Sequence, residues 1–230
     1  KVITLFLIAG LVPLAVMGVI SNKSSSNALK QQAFNQLVSV RETKKKQIED
    51  YFSTIRKQVR TFSENGMIVD AMKGFKTSFN EVRKQNDITD SKLEEYRTAL
   101  KTYYTSDFTN EYKQQNNGQG PDAVDYFNQL DDDSLALQYY YIKANHNQLG
   151  EKHNLDAADE VSSYSKLHAK YHPAIRDFLE QFGYYDIFLV DPESGDIVYS
   201  VYKELDYTTS LKDGPYASSN FGEVFRDANK

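Results

Sequence analysis

Val2–Ile20 reads VITLFLIAGLVPLAVMGVI, an uncharged apolar run in which Thr4 is the sole hydroxyl. As a helix it spans roughly 28 Å at about 1.5 Å per residue, close to the thickness of a bilayer's hydrocarbon layer. Pro13 bends such a helix without forbidding it, because bundle neighbours can satisfy the freed carbonyl. A cleaved leader has a shorter apolar core and a small-residue cleavage site after it. Ser21-Asn22-Lys23 is a poor site of that kind. Residues 1–21 are therefore expected to form a retained transmembrane helix. Lys1 and Lys23 flank it on opposite sides, so flanking charge barely orients it. The long polar stretch that follows is assigned to the exported side. The first residue is Lys1 rather than Met, which leads us to expect a fragment or a processed chain.

The 230 residues carry 27 basic and 32 acidic side chains, a net charge of −5. Nucleic acid is not an expected partner, since phosphate binding needs a basic face. The chain has no cysteine. Disulfides, thiolate metal sites and cysteine nucleophiles are thereby excluded, and an exported domain must be held by its core alone. Tryptophan is absent too, but 17 Tyr and 13 Phe supply large amphipathic side chains.

From Ser24 to about Phe79 the pattern is helical. Leu29, Ala33, Leu37, Val40, Ile48, Phe52, Ile55, Val59 and Phe62 recur at three or four residues, with a polar step at Lys44. Lys45, Lys46, Glu49, Arg56 and Lys57 fall on the opposite face. A helix of about 50 residues is about 75 Å long, beyond the usual globular length, and suits a coiled coil or bundle. Ser24–Asn27 offer N-caps if the chain breaks at the membrane surface, and Gly66 and Gly74 are candidate bends or ends. The Lys44–Lys46 run reads as a solvated helix face. Lys92–Phe108 reads as helix, Lys113–Pro121 as loop, Asp122–Leu130 as a short helix, and Leu135–Ile142 as either helix or strand. Gly150–Asp159 reads as loop, and Ser163–Phe182 as a helix interrupted or restarted at Pro173.

Architecture changes at Gly183. Two β-rich runs, Tyr184–Val190 and Asp196–Tyr202, flank a turn made by Asp191, Pro192, Glu193, Ser194 and Gly195. Ile197, Tyr199, Val201 and Lys203 share one face of the second strand. The first run is apolar on both faces, apart from Asp186. A pair whose two faces are both partly apolar needs cover on both sides. One face can pack on helices. The other, with Tyr199 and Lys203, can line a pocket, with Asp186, Asp206 and Tyr216 as further candidates. Aromatic walls with a Lys and an Asp suit a small polar ligand bearing a carboxylate or an amine. The competing reading puts Tyr199 in the core and Lys203 and Asp206 on the surface at the strand end.

The stretches YDIFLVDPESGDIVYSVYKE and TSLKDGPY, with VRETKKKQIEDYF (Val40–Phe52) and SKLHAKYHP (Ser165–Pro173), resemble the extracytoplasmic Cache (PAS-like) portion of bacterial methyl-accepting chemotaxis proteins. The resemblance implies an inner-membrane homodimer, residues after about 21 in the periplasm, and a ligand sensor whose cytoplasmic coiled-coil output lies beyond a second transmembrane helix. It also implies further strands after Phe225 to complete the sheet. The expected fold is α+β and mostly α: a membrane helix over 1–21, a helical region over 22–182, and a Cache/PAS-like antiparallel sheet beginning over 183–230.

Enzymatic chemistry finds no foothold. His168 and His172 sit four residues apart on a helix, but HAKYH lacks the glutamate of HExxH and a third ligand. Asp131–Asp133 lacks the alternating pattern of a calcium loop and fits a helix cap near Ser134. Nucleophile elbows, phosphate loops and dinucleotide glycine motifs are missing. Neither catalysis, a metal nor a cofactor is expected. Competing functions are the sensor of a membrane histidine kinase or cyclic-nucleotide synthase, and a ligand-free membrane-anchored structural protein.

Overall fold

A computed structural model describes residues 1–120 and 123–230. It is mostly helical, with one small two-stranded antiparallel sheet. Two compact units divide it: Lys1–Ser63 and Glu64–Lys230.

The first unit is a single helix, α1 (Val2–Ser63), with no buried residue. The apolar run occupies its N-terminal end, and by length and composition α1 can cross a membrane. The helix does not break at Ser24–Asn27, so those residues cap nothing, and Pro13 lies inside the helix. Leu29, Leu37, Val40, Ile48, Phe52 and Val59 are all exposed. The helix stops at Ser63 because Asn65 is an N-cap: its side chain accepts from Met67 N at 2.9 Å and starts α2 (Gly66–Phe79). The helical stretch expected from Ser24 to about Phe79 is thus two helices, divided just before Gly66, one of the two candidate ends, while Gly74 lies inside α2. The two units divide at Ser63/Glu64, α1 runs through residue 21 without interruption, and the strand Ile197–Ser200 packs on α2.

The second unit continues with α3 (Val82–Gln85), α4 (Asp90–Thr102), α5 (Thr109–Gln115), α6 (Ala123–Phe127), α7 (Asp132–Gln138), α8 (Ser163–Phe182) and α9 (Asn220–Ala228). Side-chain caps begin most of them: Thr89 on Lys92 N, Asp131 on Ser134 N, Ser162 on Tyr164 N, Ser219 on Phe221 N. The Asp131 cap is the role expected of that triplet. α4 runs into a π-helical turn at Tyr103–Phe108, and α7 into another at Tyr139–Lys143. The ambiguous Leu135–Ile142 is therefore helical. Pro121 and Asp122, at the ends of the expected loop and short helix, lie outside the described residues.

α8 is unbroken, with Pro173 inside it, correcting the expected interruption. Buried Tyr171, His172 and Ile175 hold the helix in place around the proline. Gly183, at φ +67°, ends it in the left-handed conformation that glycine adopts freely.

The strands are shorter than the sequence suggests: β1 (Phe188–Val190) and β2 (Ile197–Ser200). They pair antiparallel as Phe188 with Ser200, Leu189 with Tyr199 and Val190 with Ile197, with a bulge at Leu189/Val190. Asp186 shortens the ladder, since its carboxylate takes the Val201 N–H at 2.9 Å. Gly195 closes the hairpin at φ +83°, and a Cβ there would lie 2.7 Å from that of Lys212. All four β2 residues are buried, so cover on both faces is realised. α2 packs on α8 and β2, and α4 on α7. The outer edge of β2 is met by the following loop and by α8: Ile197 N donates to Thr209 O and Thr208 N to Ile197 O, while the Tyr164 hydroxyl of α8 donates to Val198 O.

Candidate functional site

The chain leaves β2 through residues 201–210, and this loop holds a concentrated set of buried charges. Lys203 is 2% exposed and has φ +58°, an unusual conformation for a lysine. Its Nζ donates to the Ser200 carbonyl. Three rings surround the ammonium, with centroids at 4.4 Å (Tyr199), 5.1 Å (Tyr207) and 5.8 Å (Tyr141). The negative faces of phenol rings stabilise a cation shut off from water. Burial nevertheless pushes the Lys203 ammonium down from its ordinary value, against the opposing pull of Asp186.

Asp186 is the countercharge, and it also acts as a backbone clamp. Its Oδ1 accepts from Ile187 N at 2.6 Å, Val201 N at 2.9 Å and Tyr202 N at 3.4 Å. Burial raises its carboxyl; these N–H groups and Lys203 hold it down in part. The one charged residue in an otherwise apolar run is therefore the group that ties β1 to the segment leaving β2.

Asp206 is in a different state. The residue keeps some exposure, but its Oδ1 is sealed from solvent and has no hydrogen-bond partner. Burial pushes its carboxyl up to about 7, and the charges of Asp186 and Glu204 push the same way. Gln138 fixes the backbone on either side: its Nε2 donates to Tyr207 O at 2.7 Å and Leu205 O at 3.4 Å. The Tyr104 hydroxyl donates to Gln138 Oε1 at 2.7 Å. Tyr104 and Tyr216 lie within the field of Asp206, and Tyr103 within that of Glu204. Desolvation raises all three phenols. Tyr216 also packs on Tyr126, ring centroids 5.2 Å apart. Thr208, just beyond, has φ +72°, a real outlier for a β-branched residue.

Below this loop lies a neutral polar core. His172 Nε2–H donates to His153 O at 2.6 Å, leaving Nδ1 to accept from the Tyr199 hydroxyl at 2.7 Å. His168 Nδ1–H donates to Asp156 O at 2.7 Å and stacks on His172 at 4.2 Å. Burial and then Lys203 hold both imidazoles well below their ordinary value, so they are neutral. His172 has no nitrogen left for a metal, and the described residues contain no group of three metal-ligating side chains. A hydroxyl chain runs from Tyr207 to Tyr164 (2.9 Å) and on to Val198 O (2.6 Å).

Open cavities elsewhere in the same unit include two with acidic or aromatic linings. One, of about 500 Å³, is lined by Asp131, Asp196, Asp213, Ser134, Thr209 and Lys212. The other, of about 570 Å³, is lined by Tyr96, Tyr139, Tyr140, Lys92, His146 and Asp159.

Of the five residues expected to bind ligand, Asp186, Lys203, Asp206 and Tyr216 fall in one electrostatic neighbourhood. Tyr199 is fully buried and stacks on Phe75 at 4.9 Å, so the core reading is the correct one for it. Lys203 is not a surface charge at a strand end. Tyr103, Tyr104, Gln138 and Tyr207 were not legible as members of the site, because π-helical turns and a distant helix bring them there. No protein-family model, no curated protein and no solved structure matches this chain.

Proposed function

We propose that this chain is the extracytoplasmic ligand-sensing region of a methyl-accepting chemotaxis receptor, with a Cache/PAS-like sheet. In this reading α1 anchors it in a bacterial inner membrane, residues after about 21 are periplasmic, and the working form is a homodimer that binds a small polar molecule without catalysis. The observation that supports it most is α1 itself. A membrane-length apolar run continues without a break into an amphipathic rod whose Ile48, Phe52 and Val59 are exposed. Such a stripe is stabilised by pairing with a second copy, as in a coiled coil. A long helix pair with two closely balanced packings can convert ligand binding into a small axial or rotational shift.

The test uses single cysteines in this cysteine-free chain. Phe52→Cys and Val59→Cys are expected to give oxidative dimers in membranes, and Lys46→Cys and Lys57→Cys, on the opposite face, are not. A thermal-shift screen of amino acids, organic acids and amines then supplies a ligand. Crosslinking at Val59→Cys is expected to change when that ligand is added. Monomers at all four positions, or one fixed pattern with and without a bound compound, would sink the reading.

A further inference from the structure

We propose that the cavity lined by Tyr96, Tyr139, Tyr140 and Asp159 binds a small alkyl or arylalkyl ammonium compound, its apolar body against the rings and its charge at Asp159. This rests on the sensor reading above, gives the sensed molecule a place away from the hairpin, and names its chemical class.

The cavity holds about 570 Å³, within the range of pockets that take small organic ligands. Three elements wall it. α4 supplies Lys92 and Tyr96, the π-helical turn after α7 supplies Tyr139 and Tyr140, and the segment before α8 supplies Leu155, Ala157 and Asp159. The turn divides a run of three tyrosines: Tyr139 and Tyr140 line the cavity, while Tyr141 is fully buried against His168 at 4.7 Å. π-helical turns of this sort recur at functional sites.

The walls are fixed in advance of any ligand. Tyr139 stacks on Tyr96 with centroids 3.7 Å and planes 8° apart, and Tyr140 meets the two edge-on at 5.6 Å and 5.5 Å. The Tyr96 and Tyr140 hydroxyls are 2.9 Å apart, so one donates to the other and the acceptor keeps its own proton to offer. The opposite wall is tied down on both sides of Asp159. His168 Nδ1–H donates to Asp156 O at 2.7 Å, and the Ser165 hydroxyl to Ala158 O at 3.0 Å. Ser162 N and its hydroxyl donate to the Glu160 carboxylate at 2.6 Å and 2.8 Å. Preformed walls spare a ligand the cost of ordering them.

Charge selects the ligand. Lys92 is already paired with Glu95 at 2.7 Å and lies 5.5 Å from the centre of the Tyr96 ring. The exposed Asp159 side chain has no hydrogen-bond or ion-pair partner among the described residues. The unbalanced charge on the lining is therefore negative, and the faces of tyrosine rings add negative potential. An ammonium group answers both. An alkyl or aryl body beside it covers the rings, Leu155 and Ala157, and displaces the water that would screen the ion pair.

The experiment is isothermal titration of the full chain in detergent near neutral pH, corrected for titration into detergent alone. The compounds are butylammonium, phenethylammonium, the uncharged phenethyl alcohol, and benzoate. At least one ammonium compound is expected to bind saturably, the alcohol about tenfold more weakly, and benzoate not at all. Asp159→Asn is expected to weaken ammonium binding about tenfold; its side chain has no partner to lose, so the fold stands. Tyr140→Leu is expected to weaken it several-fold. Lys92→Gln, and Asp131→Asn in the other cavity, are expected to leave it undiminished. Undiminished binding by Asp159→Asn or Tyr140→Leu, equal binding of the alcohol, loss only in Asp131→Asn, or no ammonium binding would each overturn the inference. Benzoate binding that Lys92→Gln abolishes would overturn it and leave the sensor reading standing, while the cysteine crosslinks judge that reading separately.

Discussion

The ammonium of Lys203 lies 4.4 Å from the centre of the Tyr199 ring, and that ring's hydroxyl is bonded to His172. One tyrosine thus joins the buried cation to the neutral histidine pair. The cation is stabilised by ring faces and by Asp186, while the imidazoles beside it must stay uncharged. Charge in this core is partitioned by position rather than spread.

Lys203→Met is expected to destabilise the second unit by about 1–3 kcal/mol near neutral pH, because it removes the donor to the Ser200 carbonyl and the cation whose field reaches the half-buried Asp186 carboxylate. The double variant with Asp186→Asn is expected to lose clearly less than the sum of the two single variants. Urea unfolding followed by tyrosine fluorescence measures both. Strict additivity would show that the pair is not coupled.

Stability should also depend on pH through Asp206. Its folded carboxyl titrates at about 7, and unfolded Asp near 3.9. Between those values the folded state holds the extra proton, so this group's contribution is most favourable below about pH 4. It declines as pH rises and levels off above about pH 7. His168 and His172, depressed when folded, act in the opposite sense: they favour the folded state above about pH 6.5 and oppose it as pH falls. Asp206→Asn is therefore expected to raise the melting temperature at pH 8 and to flatten the decline in stability between about pH 4 and pH 7. A profile unchanged by the substitution would contradict the assignment.

Tyr199→Phe keeps the ring over Lys203 and removes one hydroxyl. The His172 Nδ1 acceptor is then left buried without a donor, at a cost of about 1–3 kcal/mol. Chemical denaturation of the variant decides this. Tyr202→Phe, on a half-buried ring, is the comparison and is expected to stay within about 0.5 kcal/mol of the parent.

Gly74 lies in α2 where it packs on α8, and a Cβ there would meet both Leu167 methyl carbons at 3.0 Å. Gly74→Ala gains about 1 kcal/mol of helix propensity and asks a flexible side chain to shift, so its net effect should lie within about 1 kcal/mol of zero. Gly74→Leu has no such outlet and is expected to cost about 1–3 kcal/mol by overpacking. Thermal melts of the two variants separate these outcomes.

Periodicity located the long N-terminal helix, the helix at Ser163–Phe182, and the hairpin with its turn. Those are local properties, and local composition records them. Other features were hidden for physical reasons. Asn65 ends α1 through one side-chain hydrogen bond, which a hydrophobic period does not register. Pro173 suggested an interruption, but burial of its neighbours overrides the lost hydrogen bond. In the site, Lys203 and Asp206 stood out as charges beside an apolar strand. Their fates diverged because Tyr141, Tyr199 and Tyr207 gather around one, while Oδ1 of the other is left alone. That difference depends on residues such as Tyr141 and Gln138, which are far from the loop in sequence and meet it only through the fold.

The hairpin has a sidedness that bears on assembly. The outer rim of β2 is occupied by Thr208, Thr209 and the Tyr164 hydroxyl, which take up the hydrogen-bonding groups a neighbouring strand would need. A further strand would find these groups of Ile197 and Val198 already taken, and the buried lysine lies just past the strand whose rim is closed there.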